Sequence, residues 1–291
     1  MIWYIFVILS VGFFASLNIT DKIVSNWNNR VTSLLLRYSF SLLWSFILLY
    51  ILWENFKLPE IKYLIPLLLA WVISYSVNMI MYSGLKKLNT WTFFMIAYSY
   101  LIFLFFINIL LYWGNEILSL PKSLVAFFFI WFAMYLTYIS WKGWNKHEFL
   151  GYIFAFLCAI WWTICYWVEW YMIKQSLLSP VMTMLIAYMG AILTAILSFM
   201  IKFVRSTDKS ITAPTNIFPP ALWWLLICAW SLSLLFAYKY LALNIVNILT
   251  VSEMLVTTVL AIIILKEKHP KKEIQKIFFG FLILLIFVAV K

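Results

Sequence analysis

Ten apolar stretches, each about long enough to cross a bilayer, follow one another along the 291 residues with only short polar breaks between them. A helix needs about 20 apolar residues to traverse the hydrocarbon core. Stretches of that kind run over residues 2–20, 31–53, 63–83, 90–113, 122–141, 149–173, 178–204, 218–240, 244–265 and 274–290. Hydrophobic residues make up 66% of the chain and charged residues 11%, with a mean hydropathy of +1.00, whereas a soluble globule carries about 25% charged residues. A barrel would show alternating polarity over segments of about ten residues, yet Leu101–Trp113 is apolar on every face. Helices satisfy their backbone internally, so the spans are expected to be helical. Nothing basic precedes Ile2 and no small-residue cleavage pattern follows, so the first stretch is read as a span and not as a leader.

The second five stretches resemble a degenerate copy of the first five. Trp113-Gly114-Asn115-Glu116 leads to Pro121-Lys122 and an apolar span, and Leu265-Lys266-Glu267 leads to Pro270-Lys271 and another. At the same offset of 151 residues Asn18 matches Glu169, while Tyr82–Leu88 matches Tyr238–Leu243 at 156. Repeats with an odd number of spans enter the membrane in opposite senses. The expected fold is an all-α integral membrane protein of ten transmembrane helices, arranged as two inverted five-helix repeats over residues 1–142 and 143–291. Glu116, Glu267, Pro121 and Pro270 have a plain reading as helix stops and first-turn prolines.

The net charge of +11 would suggest nucleic acid in a soluble domain. Here the lysines and arginines sit mostly between spans, where they anchor helix ends and meet anionic lipid, and no nucleic-acid partner is expected. Cys158, Cys165 and Cys228 fall inside spans without metal-ligand spacing and read as buried small residues. His147 and His269 lie far apart in breaks, so neither a metal site nor a bound cofactor is expected.

Gly151, Trp161-Trp162, Tyr240-Leu241-Ala242-Leu243, Ser252-Glu253 and Leu265-Lys266-Glu267 ahead of Gly280 carry a family likeness. The first half echoes it through Leu85-Lys86-Lys87-Leu88 and Trp113-Gly114-Asn115-Glu116. The chain resembles the drug/metabolite transporter superfamily, in its ten-helix branch with two EamA-type repeats. It departs at Met254, where that family often has proline, and at Lys266, where it has glycine. The resemblance implies that helices one to four and six to nine surround a central cavity, with five and ten peripheral, and that both termini are cytoplasmic.

A charged side chain at the centre of a span costs about 2.5–3.5 kcal/mol on insertion scales, so one that is present faces protein or water. Glu253, near the middle of the ninth span, is read either as a proton- or cation-binding carboxylate or as a hydrogen-bonded packing residue. Glu169 stands near the end of the sixth span, and Arg37 and Lys239 are candidate charge partners for these carboxylates. Asn78 and Asn108 are polar groups that need partners in the bundle, Asn244 and Asn247 cap or line the start of the ninth span, and Tyr240 joins Glu253, Glu169, Asn78 and Asn247 in the expected substrate- or proton-binding set. The 17 Trp, 17 Tyr and 26 Phe supply an interfacial belt and material for a cage around a cationic or aromatic solute.

Two aspartates, Asp21 and Asp208, are too few for an aspartate-rich magnesium site, and no His-Glu-x-x-His or Gly-x-Ser-x-Gly occurs. No enzyme activity is expected. The expected function is a plasma-membrane secondary transporter working by alternating access, as a monomer or homodimer. Its cargo would be a small metabolite, amino acid or cationic or aromatic solute, with protons coupled through Glu253. A lipid-modifying enzyme or a non-transporting assembly protein is the alternative. With residues at the span ends counted in the adjoining break, breaks after odd-numbered spans hold 14 Lys and Arg against 6 for the even-numbered breaks and the C-terminus, which by the positive-inside rule puts the termini outside, opposite to the family's orientation.

Overall fold

The computed structural model describes residues 3–25, 30–52, 59–100, 103, 104, 107, 131, 148–205, 218–241, 243–250, 252–267, 275, 279 and 282. These form α1 (Trp3–Ser25), α2 (Arg30–Ile51), α3 (Ile61–Lys87), α4 (Thr90–Ala97), α5 (Phe149–Lys174), α6 (Pro180–Arg205), α7 (Phe218–Tyr240), α8 (Leu243–Thr250) and α9 (Ser252–Ile264). Five of them, α1, α2, α3, α5 and α6, are long and apolar enough to cross a membrane, and α7 and α9 carry shorter apolar segments. The chain is a multi-pass, all-helical membrane protein among its described residues. The fifth and tenth expected spans, Glu116, Asn108, His147, His269 and the repeat boundary at 142/143 lie outside them, apart from isolated helical positions.

α2 explains how such a bundle coheres in lipid. Ser33, Arg37, Ser41 and Ser45 recur every fourth residue on its buried face, while Leu43, Phe46, Ile47 and Tyr50 point outward. Side chains four apart share one side of a helix, so the polar stripe is inside and the apolar one outside. In water that arrangement would be inverted. In hydrocarbon it leaves apolar surface facing lipid and gives the polar groups partners in the bundle.

Helices of the first half pack chiefly on helices of the second. α1 lies against α7 and α9, α3 is held between α5 and α6, α2 rests on α6 and α7, and α4 meets α5 and α9. Glycine makes the closest approaches possible: a Cβ on Gly190 of α6 would meet the Leu68 carbonyl oxygen of α3 at 2.7 Å and the Trp71 Cβ at 3.1 Å. Small residues serve this purpose in membrane bundles. Side chains of α5 and α6 also bond the α3 backbone, with Trp161 Nε1 donating to Ala70 O at 3.1 Å and Thr194 Oγ1 to Val72 O at 2.7 Å.

The helix ends follow local chemistry. Asn89 caps α4 by accepting the Thr92 N–H at 2.7 Å, and Ser179 accepts the Met182 N–H at 3.1 Å ahead of Pro180, where a missing N–H costs nothing. α5 and α9 end on left-handed residues, Ser176 and Lys266, both at φ 54°. After Ser176 comes the Schellman bond, Leu177 N to Met172 O at 3.0 Å, and after Lys266 a wider bond closes the end of α9, Glu267 N to Ala261 O at 3.3 Å. Lys266 thus occupies the position at which the resembled family carries glycine.

The first helix is longer than its hydropathy indicates. It continues through Asn18, Thr20 and Asp21 to Ser25, because those polar groups turn inward, where they are buried.

Candidate functional site

Phe14, Asn18 and Asp21 lie on one face of α1, spaced by four and three residues, and line a cavity among α1, α2, α3, α5 and α7. Arg37 and Tyr38 of α2, Trp71, Ser74 and Asn78 of α3, Trp162 and Tyr166 of α5, and Trp230 of α7 complete most of its wall. About 30 Å³ of it is open to the centre of a water molecule, room for one or two waters. Both halves of the chain supply the wall.

One side of the wall is charged and internally paired. Arg37 Nη1 donates to Asp21 Oδ1 at 3.0 Å, with both side chains buried, and the Tyr82 hydroxyl donates to the same oxygen at 3.2 Å. Asn78 donates to the Tyr38 hydroxyl, and the Arg37 guanidinium stands 5.9 Å from the Tyr38 ring centroid. Much of the remaining wall is aromatic. Phe14 and Trp230 stack at 4.4 Å, Tyr166 meets Trp230 edge-on at 6.0 Å, and Tyr100 meets Trp162 edge-on at 5.8 Å. The Trp230 indole N–H is buried with no acceptor among the described residues.

Glu253 sits beside the cavity. It is 1% exposed on α9, its carboxyl within electrostatic reach of the Tyr98 phenol. Its Oε2 meets no donor among the described residues. Tyr98 in turn accepts from Asn18 Nδ2 at 2.7 Å, and the same amide donates to Thr257 Oγ1 at 3.1 Å. Tyr98 lies where α4 loses regularity: Tyr98 and Ser99 form a turn, with Ser99 N bonding Ile96 O at 3.0 Å before helix resumes. Such tightened turns inside spans are common at functional positions.

Glu169 is equally deep, on α5. The Trp71 indole approaches its carboxyl without closing a short hydrogen bond. Tyr166 and Tyr238 are within electrostatic reach of both Glu169 and Glu253, so two carboxyls and two phenols share one region.

The expected residues therefore divide. Glu253, Glu169, Asn78 and Arg37 are buried around the cavity. Arg37 is paired with Asp21, not with either glutamate. Tyr240 is 40% exposed at the end of α7, with the exposed Lys239 amine 5.5 Å from its ring centroid, and neither lines the cavity. Asn247 falls on α8, and its side chain lies outside the described residues. Asp21, Tyr98, Tyr82 and Trp71 were not expected in these roles; the spacing from Phe14 through Asn18 to Asp21 was the available signal. The three cysteines are free and buried. No group of three or more His, Cys, Asp or Glu gathers among the described residues.

A second polar cluster ties helix ends together. Lys22 Nζ donates to the Leu85 and Leu88 carbonyls at 2.5 and 2.8 Å, satisfying oxygens that the end of α3 leaves open. Glu267 Oε1 accepts the Thr90 hydroxyl at 2.6 Å and its N–H at 3.2 Å, placing an anion at the N-terminus of α4.

No family model matches the chain, and no curated protein matches it. Among solved structures, one described only as "Crystal structure of protein" shares the fold with a TM-score of 0.67, covering 97% of this chain and 96% of that one at 13% identity. At that identity the likeness is one of fold alone.

Proposed function

We propose that this protein is a secondary transporter of the plasma membrane, carrying a small solute through the central cavity by alternating access. The observation that carries the reading is a cavity walled by both halves of the chain with a buried carboxyl, Glu253, beside it and one oxygen of that carboxyl without a donor among the described residues. Midplane sites between repeats are the general design of such proteins.

The architecture is read as ten spans in two inverted repeats, of the kind found in the drug/metabolite transporter superfamily. The packing supports it. If α1, α2, α3 and α4 correspond to α5, α6, α7 and α9, then the α1–α7 contact maps onto α5–α3. The α3–α6 contact maps onto α7–α2, α1–α9 onto α5–α4, and α2–α6 and α4–α9 each onto themselves. Every one of these contacts is present, as a two-fold axis in the membrane plane requires.

The aromatic wall suits a solute with a flat apolar part, since ring pairs gain about 0.5–1.5 kcal/mol beyond area burial. Proton coupling is assigned to Glu253, with the proton taken from the aqueous phase during the cycle. Uptake of a pooled panel of metabolites, amino acids and cationic drugs into proteoliposomes under an imposed pH gradient tests the reading. Wild type is expected to move at least one solute with a dependence on the gradient that Glu253→Gln loses. Movement of no solute in wild type removes the transporter reading and returns the two alternatives, a lipid-modifying enzyme and an assembly protein.

A further inference from the structure

We propose that the contact between Thr90 and Glu267 is a latch between the two halves of the bundle, which holds the cavity shut at the end where α1, α3 and α9 finish and α4 begins. The proposal rests on the transporter reading above and adds the element that sets which end is closed. A cavity with room for one or two waters admits a solute only after helices part, so the state described is a closed one.

Thr90 opens α4 in the first half, and Glu267 follows α9 in the second. One carboxylate oxygen, Oε1, accepts both the hydroxyl and the backbone N–H of Thr90, at 2.6 and 3.2 Å. Glu267 reaches α4 through the left-handed turn at Lys266. The halves also meet closely beside this bond: a Cβ on Gly151, in the first turn of α5, would lie 2.7 Å from Leu88 Cγ at the end of α3, and Lys22 holds the Leu88 carbonyl in place.

Two properties separate this contact from the Asp21–Arg37 pair. Asp21 and Arg37 stand on consecutive helices of one half and are both buried, so they travel together when the halves move, and parting them would strand a charge. Thr90 and Glu267 belong to different halves, and Glu267 is only half-buried, so water can hydrate its carboxylate as the halves part. Lipid replaces apolar helix contacts at little cost, whereas a hydrogen bond to a carboxylate is specific to the closed arrangement.

The latch is one-sided. The alignment that sets Tyr82–Leu88 against Tyr238–Leu243 puts Ile245 or Val246 in the place of Thr90, and neither carries a hydroxyl. The side-chain bond is therefore available at one end only and biases the molecule toward closure there. A bond to a charged group that exists in one state alone shifts such an equilibrium about tenfold or more.

The protein's own thiols report the opening. Cys165 stands in the cavity wall, whereas Cys158, earlier on α5, is outside that wall, with its Sγ 3.8 Å from the Val77 carbonyl oxygen. Both are modified in detergent micelles with a small charged methanethiosulfonate, and the rate at each is read by mass spectrometry of peptides. Thr90→Val and Glu267→Gln are each expected to speed modification of Cys165 about tenfold and to leave Cys158 slow. The double variant should match the singles, and Thr90→Ser, which keeps the hydroxyl, should behave as wild type. An unchanged Cys165 rate in the folded single variants overturns the latch, and so does an equal acceleration of Cys158, which marks loosening of the whole bundle. If one single variant fails to fold, the other decides the matter alone. Modification needs no solute, so the two readings fail separately. Faster Cys165 modification in a protein that moves no solute upholds the latch as a gate on the cavity and removes the transporter reading; pH-dependent uptake with an unmoved Cys165 rate does the reverse.

Discussion

The Thr90 hydroxyl donates to Glu267 Oε1 at 2.6 Å, joining two residues 177 positions apart in sequence. With Lys22 on the carbonyls of Leu85 and Leu88, it gathers the ends of α1, α3, α4 and α9 at one place. A charge-assisted bond of this kind contributes about 1.5–3 kcal/mol. Thr90→Val is expected to lower stability by about that amount in thermal unfolding in detergent micelles. Thr90→Val combined with Glu267→Gln should cost less than the two single losses added together.

Asp21 and Arg37 form a buried ion pair, and removing one partner of such a pair leaves an uncompensated charge at a cost of about 3–5 kcal/mol. Asp21→Asn and Arg37→Met should therefore each reduce the yield of monodisperse protein on size exclusion. The double variant Asp21→Leu with Arg37→Met should recover most of it.

Lys266 and Ser176 hold a left-handed backbone that costs an L-residue about 1–2 kcal/mol relative to glycine. Lys266→Gly and Ser176→Gly are expected to raise the unfolding midpoint. A fall in the midpoint on Lys266→Gly would show that its side chain makes a contact worth more than the strain.

Two glycines should respond in opposite directions to alanine. At Gly190 the new Cβ meets backbone of α3, and overpacking of this sort costs about 1–3 kcal/mol. At Gly12 nothing stands within 4 Å, so Gly12→Ala should be neutral or stabilising by up to about 1 kcal/mol through helix propensity. Unfolding midpoints of the two variants, measured side by side, check the contrast.

Hydropathy located the helices because lipid imposes the same rule on each of them, that the outward face be apolar. It misjudged the end of α1, since a polar run reads as a loop whether its groups meet water or a bundle interior. The same ambiguity hid Asp21, and Arg37 was consequently matched with glutamates it does not contact. Glu253 and Glu169 were legible because few charges lie so deep in apolar runs. Tyr98 was not, because one tyrosine among 17 carries no mark of its position, and only the turn at the end of α4 brings its hydroxyl to Asn18.

The interleaving of the two halves has a consequence for biosynthesis. α1 finds its main neighbours in α7 and α9, which leave the ribosome about 200 residues later. At about 5–20 residues per second the first helix waits roughly 10–40 s for its partners. Its inward face, with Asn18 and Asp21, must be shielded from acyl chains throughout that interval, by the insertion machinery or by temporary neighbours, before the native bundle can close around it.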